Sequence, residues 1–204
     1  MNLKNYFWLF KEDPFQKNFI TDIKKEGLSL RKKQGLVGQP KHPGKLFAAK
    51  NFKQRKAKVS WINSPLLYGN INPTIHKANA NAGWNFQWDW NESVQFTEYK
   101  KNDFYDWHID SIPEPYPQNY KSKDYVGKIR KLSSVVLLSE PGKDFEGGEL
   151  EMDFNTCGGQ GKQIIDLKKG SCIIFPSFVK HRVKPVTKGT RHTLVLWHLG
   201  YPWC

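Results

Sequence analysis

The sequence predicts an all-β core, a sandwich or barrel of short strands, with helices packed outside it. From Trp84 onward, short apolar or alternating segments follow one another with turn residues between them, which is typical of antiparallel β folds. Before Trp84, apolar residues recur at helical spacing in two segments, which indicates amphipathic helices. The chain has 204 residues and no evident repeat or linker, so we expect one domain spanning residues 1–204.

Two helices are predicted in the N-terminal part. The first opens at Pro14-Phe15 and ends near Gly27, because proline is tolerated in a first helical turn and glycine commonly follows a last one. The second covers residues 72–83, with Pro73 at its start.

The rest of the N-terminal part is expected to support the core rather than to form it. Residues 1–10 are interpreted as a short aromatic strand, and residues 59–62 as another. Residues 31–58 are rich in Lys, Gly and Pro and are predicted to form a loop or lid. We therefore describe residues 1–83 as a helical N-terminal support region.

Residues 84–204 are predicted to form the core. The segments with strand patterns are 86–91, 94–99, 104–110, 131–139, 145–154, 163–167, 171–175 and 191–199. In the last of these, Arg191, Thr193, Val195 and Trp197 share one face because side chains alternate across a strand. The natural assembly is a jelly-roll with the N-terminal helices packed outside it.

Composition restricts the compartment. No apolar run approaches the length of a bilayer span, and the N-terminus lacks the apolar core of a signal peptide. Cys157, Cys172 and Cys204 are widely spaced without a C-x-x-C motif, so neither a disulfide framework nor a zinc knuckle is indicated. Cys172 is expected to be a small buried residue on a strand. These observations favour a cytoplasmic protein with no membrane partner.

The chain is strongly basic, with a formal net charge of +13. Such a charge favours an acidic or polyanionic partner, nucleic acid included. The densest basic region is residues 45–58. It is interpreted either as a solvated segment or as a docking lip for an acidic polypeptide or a nucleic acid.

The sequence His108-Ile109-Asp110 is the stretch that indicates chemistry. On a strand, His108 and Asp110 point to the same side and Ile109 points away. With a distant histidine, His181, this pair forms the ligand set of a facial triad, which holds Fe(II) on one face and leaves other positions open. An isolated H-x-D motif is weak; its joint occurrence with the later histidine and with Arg191 makes the prediction.

Arg191 is the candidate anchor for a cosubstrate. An α-keto acid could chelate the iron and supply electrons for O2, and its far carboxylate would need a cation. The planar guanidinium of Arg191 offers a bidentate partner, and Pro185 and Gly189 would allow a tight hairpin that returns it beside the iron strand. The alternative for Arg191 is an exposed charge at a strand end. His192 and His198 are rival ligands, but both lie on the opposite face of the Arg191 strand.

Several motifs together resemble the prolyl 4-hydroxylase group of 2-oxoglutarate oxygenases, in particular PKHD-type hydroxylases and small oxygenases of phage genomes. The resemblance runs from about residue 94 to residue 197 and rests on the following motifs: Tyr99, Tyr105, His108-x-Asp110, Phe145-x-Gly147-Gly148-Glu149-Leu150, Phe175-Pro176-Ser177, His181-Arg182-Val183 and Gly189-Thr190-Arg191.

The resemblance implies a double-stranded β-helix, Fe(II), 2-oxoglutarate and O2, and often ascorbate as a rescuing reductant. It implies that His108, Asp110 and His181 are the iron ligands, and that Tyr99 and Ser133 line the 2-oxoglutarate pocket beside Arg191. For Ser133, an ordinary position at the edge of the core is an equal alternative. Collagen-type prolyl hydroxylases commonly carry Lys where this chain has Arg191, so the substrate is not carried over with the motifs.

Three functions are therefore compared. The first is a dioxygenase that hydroxylates a prolyl or other peptidyl side chain and releases succinate and CO2. The second is a 2-oxoglutarate oxygenase acting on nucleobases, and the third is a non-catalytic jelly-roll binding module. Substrate is expected to enter between residues 31–58 and 111–127, and a phage-encoded protein would act in the host cytoplasm. The sequence does not indicate an oligomeric state or a role for Tyr105.

Overall fold

The computed structural model describes residues 3–42, 45–112 and 114–203. Two α-helices, α1 Phe19–Ser29 and α2 Pro65–Asn81, accompany a short 3-10 turn at Phe154–Thr156. The strands are β1 Trp8–Phe10, β2 Lys33–Gln34, β3 Val37–His42, β4 Lys45–Ala49, β5 Arg55–Lys56, β6 Lys58–Ile62, β7 Trp90–Asn91, β8 Val94–Lys100, β9 Phe104–His108, β10 Ile129–Leu137, β11 Phe145–Gly147, β12 Leu150–Asp153, β13 Lys162–Ile165, β14 Cys172–Pro176, β15 Lys180–Val183 and β16 Val186–Gly200. The predicted β core with flanking helices is confirmed.

Two antiparallel sheets build the core. A nine-stranded sheet runs in the order β1-β14-β10-β16-β8-β6-β2, with β7 and β11 pairing along β16. A five-stranded sheet runs β13-β12-β15-β9-β5, and β3 pairs with β4 in a separate hairpin. Strands from before and after residue 84 share both large sheets, so the N-terminal part belongs to the core as well as supporting it.

Strand β16 divides the interior into two layers through its alternating side chains. Leu194 and Leu196 face α1 and α2, where they join a cluster with Phe96 and Ile71. Val195 faces the five-stranded sheet and packs against a second cluster. Fully or almost fully buried members of the second cluster include Leu150, Met152, Ile173 and Phe175. Arg191 and Trp197 lie on the Val195 side of β16, the side on which the candidate site is found.

Helix α1 differs from its predicted bounds at both ends. It begins at Phe19 rather than at Pro14, after Asn18 adopts a left-handed conformation with φ of 69°. It continues through Gly27 to Ser29. Gly27 lies inside the helix because it allows the helix to approach the sheet: a Cβ atom there would lie 2.1 Å from the Phe96 ring.

Replacing Gly27 with alanine should therefore destabilise the fold. The new methyl group would overlap the buried Phe96 ring, and overpacking of this kind typically costs about 1–3 kcal/mol. Urea denaturation followed by circular dichroism should show the loss as a lower midpoint. Gly69→Ala in α2 is the matched control, because no atom lies within 4 Å of a Cβ at Gly69. Helix propensity alone should make that control neutral or stabilising, and equal losses in both variants would contradict the packing explanation.

Helix α2 is longer than predicted. It begins at Pro65, which occupies the first turn, and contains Pro73 in its interior. The expected start at Pro73 is wrong, because the helix accommodates a proline that removes one backbone hydrogen bond. The preceding turn carries Gly69, the residue whose carbonyl a proline at 73 crowds.

Three loop and strand predictions are also wrong. Residues 31–58 are not a loop, since they contain β2 to β5 and the first residue of β6. Residues 86–91 are a strand only at Trp90–Asn91, although the aromatic rings before it are buried as the alternation suggested. The expected tight hairpin around Gly189 is absent: Gly189 lies within β16 and pairs with Phe145, so the chain changes sheets between β15 and β16.

The cysteines follow expectation where they are described. Cys157 and Cys172 are both free, and Cys172 is fully buried on β14. Cys204 lies outside the described residues. No described helix is long and apolar enough to cross a membrane.

Candidate active site

The structure brings His108, Asp110 and His181 together. His108, the last residue of β9, pairs directly with His181 of β15. Asp110 follows the strand, held by a hydrogen bond from its backbone N–H to the Ser177 carbonyl at 2.9 Å. Ligand atoms from all three residues lie within 4.8 Å of one another, while Ile109 points outward and is 51% exposed. Two side chains from one strand end thus meet an imidazole from a strand much later in the chain.

Backbone carbonyls orient both imidazole rings. His108 Nδ1 lies 2.7 Å from the Asp106 carbonyl, and His181 Nδ1 lies 2.9 Å from the Val179 carbonyl. Because a carbonyl only accepts, each Nδ1 must carry a proton, so in the neutral ring it is Nε2 that presents the lone pair. The two Nε2 atoms face the carboxylate, at 3.7 Å and 3.6 Å from the Asp110 oxygens.

The charges of the group suit a cation. Burial, together with the neighbouring His181, lowers the pKa of His108 to about 3. Burial acts to raise the pKa of Asp110, but His181, His108 and Arg130 outweigh it and the pKa is lowered. At neutral pH the site therefore holds a neutral His108 and an ionised carboxylate, the protonation states that a metal ion requires.

One atom of the group lacks the partner that its burial demands. Asp110 Oδ2 is buried and makes no hydrogen bond within the described part of the chain. Buried carboxylate oxygens are normally hydrogen-bonded or bound to a metal. Two imidazole nitrogens, one carboxylate oxygen and no thiolate form a donor set that fits Fe(II).

Arg191 lies deep on the same side of β16. Only 2% of the residue is exposed, and its guanidinium lies 5.5 Å from the centre of the Tyr99 ring. Burial lowers the pKa of Arg191, while Tyr99 and Glu149 act in the opposite direction. Among the described residues, no carboxylate lies within ion-pair distance of this guanidinium, so it remains available to an anion. Arg191 is not the exposed strand-end charge that was the alternative.

The structure places Tyr99 and Ser133 differently with respect to these groups. Tyr99 pairs with Arg191 across β8 and β16 and is 3% exposed. Ser133 is fully buried, with its hydroxyl 2.9 Å from the Ser177 hydroxyl. The Ser133 hydroxyl is also one of the groups that lower the pKa of Asp110. Tyr99 therefore lies beside the candidate anion site, and Ser133 beside the candidate metal site.

Sequence reasoning missed an arginine, Arg130, that contacts the backbone of Asp110 beside the candidate metal site. Arg130 makes a two-pronged ion pair with Glu92, at 2.6 Å and 2.8 Å, and stacks 3.8 Å over the Trp197 ring. Its Nη1 donates to the Asp110 carbonyl at 3.3 Å. Tyr116 from the loop 111–127 donates to the same Glu92 at 2.9 Å. The only signal in the sequence was Trp197, which shares a strand face with Arg191.

Tyr105 also acquires a position, although the sequence indicated no role for it. Its ring stacks on His108, with centroids 3.5 Å apart and planes 10° apart. The Arg55 guanidinium lies 4.5 Å from the centre of the Tyr105 ring. Burial raises the pKa of Tyr105 to about 12, so its phenol stays protonated under physiological conditions.

The other histidines considered, His192, His198 and His76, make contacts away from the candidate metal site. His192 contacts Glu98 and Ser139, each at 3.3 Å. His198 contacts Asn91 at 2.6 Å and Ser134 at 3.0 Å. His76 of α2 stacks on the Trp88 ring. None of these three belongs to the ligand cluster found among the described residues.

His198 should make the stability of the protein depend on pH. Burial lowers its pKa from 6.5 to about 3, so the folded protein keeps it neutral. The contribution of the neutral His198 to the free energy of unfolding is complete above pH 6.5. It declines as the pH falls, because His198 then binds a proton in the unfolded chain but not in the folded one. By pH 5 the loss should be about 2 kcal/mol.

Unfolding free energies of the wild type and His198→Gln, measured between pH 5 and pH 8, would test this. The glutamine variant should be less stable at neutral pH but should lose less stability on acidification. Parallel pH profiles for the two proteins would contradict the assignment.

Comparison with known proteins identifies the family. Residues 94–199, just over half of the chain, match the family described as the 2OG-Fe(II) oxygenase superfamily. The chain belongs to this superfamily. Its members are named for their use of 2-oxoglutarate and Fe(II), the two cofactors that the motifs predicted, and the family prediction is confirmed.

Curated relatives of this oxygenase match half of the chain. The chain is 35% identical to a PKHD-type hydroxylase of Pseudoalteromonas atlantica over 104 residues, which is 50% of this chain and 41% of the relative. It is 34% identical to the PKHD-type hydroxylase YbiX of Shigella sonnei over 103 residues, 50% of this chain and 40% of that protein. The chain thus spans about two fifths of the length of these relatives.

Solved structures extend the likeness over nearly the whole chain. A prolyl hydroxylase from Trichoplax adhaerens, in complex with a peptide fragment of hypoxia inducible factor, superimposes with a TM-score of 0.70 at 18% identity, covering 96% of this chain and 84% of that one. The viral collagen prolyl hydroxylase of Paramecium Bursaria Chlorella virus-1, in complex with 2-oxoglutarate, gives 0.61 at 18% identity and covers 97% of both chains. The predicted jelly-roll fold is confirmed.

Proposed function

We propose that this oxygenase is an Fe(II)- and 2-oxoglutarate-dependent dioxygenase that hydroxylates a prolyl or other peptidyl side chain. The observation that carries the proposal is the convergence of His108, Asp110 and His181. One oxygen of the carboxylate at its centre has no hydrogen-bond partner among the described residues, and the buried guanidinium of Arg191 lies on the same side of β16. A binding module would have no need for this combination.

In this proposal His108 and His181 bind iron through Nε2 and Asp110 binds it through its carboxylate. The Asp106 and Val179 carbonyls fix the ring orientations, and Ser177 holds the Asp110 backbone. The side chains are aligned before the metal arrives, which limits the conformational entropy lost on binding. Bound Fe(II) supplies the site at which O2 is activated.

Arg191 is proposed to bind the far carboxylate of 2-oxoglutarate through a two-pronged charge-assisted pair, with Tyr99 stacked beside it. Ser133 lies nearer to Asp110 and is proposed to line the other end of the same pocket. The balanced reaction consumes 2-oxoglutarate and O2, inserts one oxygen atom into a substrate C–H bond, and places the other in succinate, with release of CO2. Ascorbate is expected to restore iron that has been oxidised in turnovers without substrate.

A peptide substrate is supported by a solved structure of similar fold and by aromatic side chains near Asp110. The Trichoplax enzyme binds a peptide on the same fold. In this chain, the ring centre of the exposed Trp61 lies 6.3 Å from that of Trp197. The Trp197 ring contacts Arg130, which donates to the Asp110 carbonyl. Aromatic rings of this kind provide rigid contact area for a polypeptide.

A nucleobase substrate is the second candidate, supported by the net charge of +13. Binding to a nucleic acid would weaken steeply with salt, whereas binding to a neutral peptide would change little.

We also propose that residues 1–204 act as one domain, because β1, β2 and β6 complete the sheet that carries Arg191.

The test is an incubation of the protein with Fe(II), 2-oxoglutarate, O2 and ascorbate, together with a peptide library or an oligonucleotide pool. Succinate formation with a 16 Da mass increase in a peptide supports the proposal. The same increase confined to oligonucleotides supports the second candidate. No succinate above a metal-free control contradicts both and leaves a non-catalytic module.

A further inference from the structure

Four arginines of the chain lie in or between the sheets, and they fall into two pairs. Arg130 and Arg182 each have a carboxylate oxygen within 2.7 Å, from Glu92 and Glu151 respectively. Arg55 and Arg191 have no carboxylate within ion-pair distance among the described residues, although they are 4% and 2% exposed. A buried cation without a counterion is costly, so its presence calls for an external anion. The proposed function supplies one for Arg191 but none for Arg55.

The contacts of Arg55 leave one side of the guanidinium open. Nη1 donates to the Leu36 carbonyl at 3.1 Å. Nε is buried without a hydrogen-bond partner and lies against Gly35, where a Cβ atom would come within 2.7 Å of it. Nη2 has no hydrogen bond to a described residue, and unlike Nε it is not among the buried atoms without a hydrogen-bond partner. The guanidinium is therefore held by its inner edge and keeps an outer donor.

Arg55 also lies next to the candidate metal centre. It stacks on Tyr105, and Tyr105 stacks on His108. An anion held by Arg55 would thus sit beside a substrate residue presented to the metal, rather than in the 2-oxoglutarate pocket at Arg191.

We propose that Arg55 binds an acidic side chain of the polypeptide substrate, close in sequence to the residue that is hydroxylated. This inference rests on the proposed function and adds a substrate class to it, namely peptides with a Glu or Asp near the target. A carboxylate suits the site better than a phosphate backbone. The site offers one free guanidinium edge, the adjacent Lys56 is occupied by Asp103 at 3.3 Å, and nucleic acids bind rows of cations.

The proposal can be tested by binding, without turnover. Protein loaded with Mn(II) and 2-oxoglutarate would be titrated against fluorescein-labelled peptides in which a central proline lies in a neutral background. Single Glu residues would be placed at successive flanking positions, with Gln at the same position as the matched peptide. Because a charge-assisted hydrogen bond replaces a neutral one, we expect at least one Glu peptide to bind about tenfold tighter than its Gln counterpart.

Three variants and one control assign that difference to Arg55. Arg55→Gln should abolish the Glu preference, and Arg55→Lys should keep part of it, because lysine retains the charge but not the planar fork. Gly35→Ala, which displaces the guanidinium without removing it, should also weaken the preference. Lys53→Gln removes an exposed charge two positions away and should retain the preference.

Two outcomes of the peptide titrations overturn the proposal: no flanking position discriminates Glu from Gln, or the discrimination survives in Arg55→Gln. Binding of a labelled dT10 oligonucleotide that is lost in Arg55→Gln would also overturn it, in favour of a phosphate ligand. Binding of 2-oxoglutarate to each loaded variant, measured by calorimetry, shows that the pocket is folded. Intact 2-oxoglutarate binding without Glu preference refutes only this inference, whereas failure of the wild type to bind Mn(II) and 2-oxoglutarate refutes the proposed function.

Discussion

Replacing Asp110 with asparagine is expected to abolish metal retention and to lower 2-oxoglutarate turnover by more than about 100-fold. The carboxylate faces both histidine Nε2 atoms, and one of its oxygens has no hydrogen-bond partner in the part of the chain that the structure describes. An amide has nearly the same shape but carries no charge and offers only one acceptor. Loss of groups that merely orient a ligand already lowers metal affinity or activity about 10- to 100-fold, so loss of a ligand should exceed that. Mn(II) titration followed by electron paramagnetic resonance measures retention directly.

The matched control for this prediction is Asp106→Asn. Asp106 lies two residues before His108 on the same strand, and its side chain is exposed. The carbonyl that orients His108 belongs to its backbone and is unchanged by the substitution. This variant should bind Mn(II) as the wild type does. If the Asp110 and Asp106 variants lost metal to a similar extent, the local charge rather than a ligand would be responsible, and the assignment of Asp110 would be wrong.

Replacing Arg191 with glutamine should raise the dissociation constant for 2-oxoglutarate by at least about 30-fold while metal binding persists. Truncating one partner of a buried charged pair typically costs about 2–5 kcal/mol, which corresponds to roughly a 30-fold to several-thousand-fold change in affinity. The affinity of Arg191→Lys for 2-oxoglutarate should lie between those of the wild type and Arg191→Gln, since lysine keeps the charge but loses the bidentate geometry. Calorimetric titration of the Mn(II)-loaded protein with 2-oxoglutarate measures the change.

Arg182→Gln is the control for charge, since Arg182 is partly exposed and already paired with Glu151. It should leave 2-oxoglutarate affinity nearly unchanged. The thermal midpoint of Arg191→Gln provides a second test of the role of Arg191. Removing a buried cation that has no counterion should leave the thermal midpoint unchanged or raise it. A large drop in the midpoint with unchanged affinity for 2-oxoglutarate would show that Arg191 supports the fold rather than the cosubstrate.

The candidate metal site could be predicted from the sequence because it depends on short-range geometry. On an extended segment, two residues separated by one other residue point to the same side. His108 and Asp110 could therefore be paired without knowledge of the fold. Arg191 followed from the same alternation, since it shares a face with apolar residues. His181 required the motif around it, because nothing local states which late strand lies beside β9.

The elements that the sequence did not indicate depend on distant contacts. Gly27 carries a helix-ending signal, but its position is decided by the Phe96 ring against which α1 packs. Strands β2 to β5 have no clear alternation, and they form because neighbouring strands offer backbone hydrogen bonds. Arg55 looked like one more charge in a basic segment. Only its pairing opposite Tyr105 shows that it is buried beside the metal site.

The most direct test of the account is the position of a bound metal ion. Crystals of the protein grown anaerobically with Fe(II) and 2-oxoglutarate would be measured on both sides of the iron absorption edge. We expect one strong anomalous peak within bonding distance of His108 Nε2, His181 Nε2 and an Asp110 carboxylate oxygen, with 2-oxoglutarate reaching from it to Arg191. A peak at any other group of residues, or an intact 2-oxoglutarate bound away from Arg191, would contradict it.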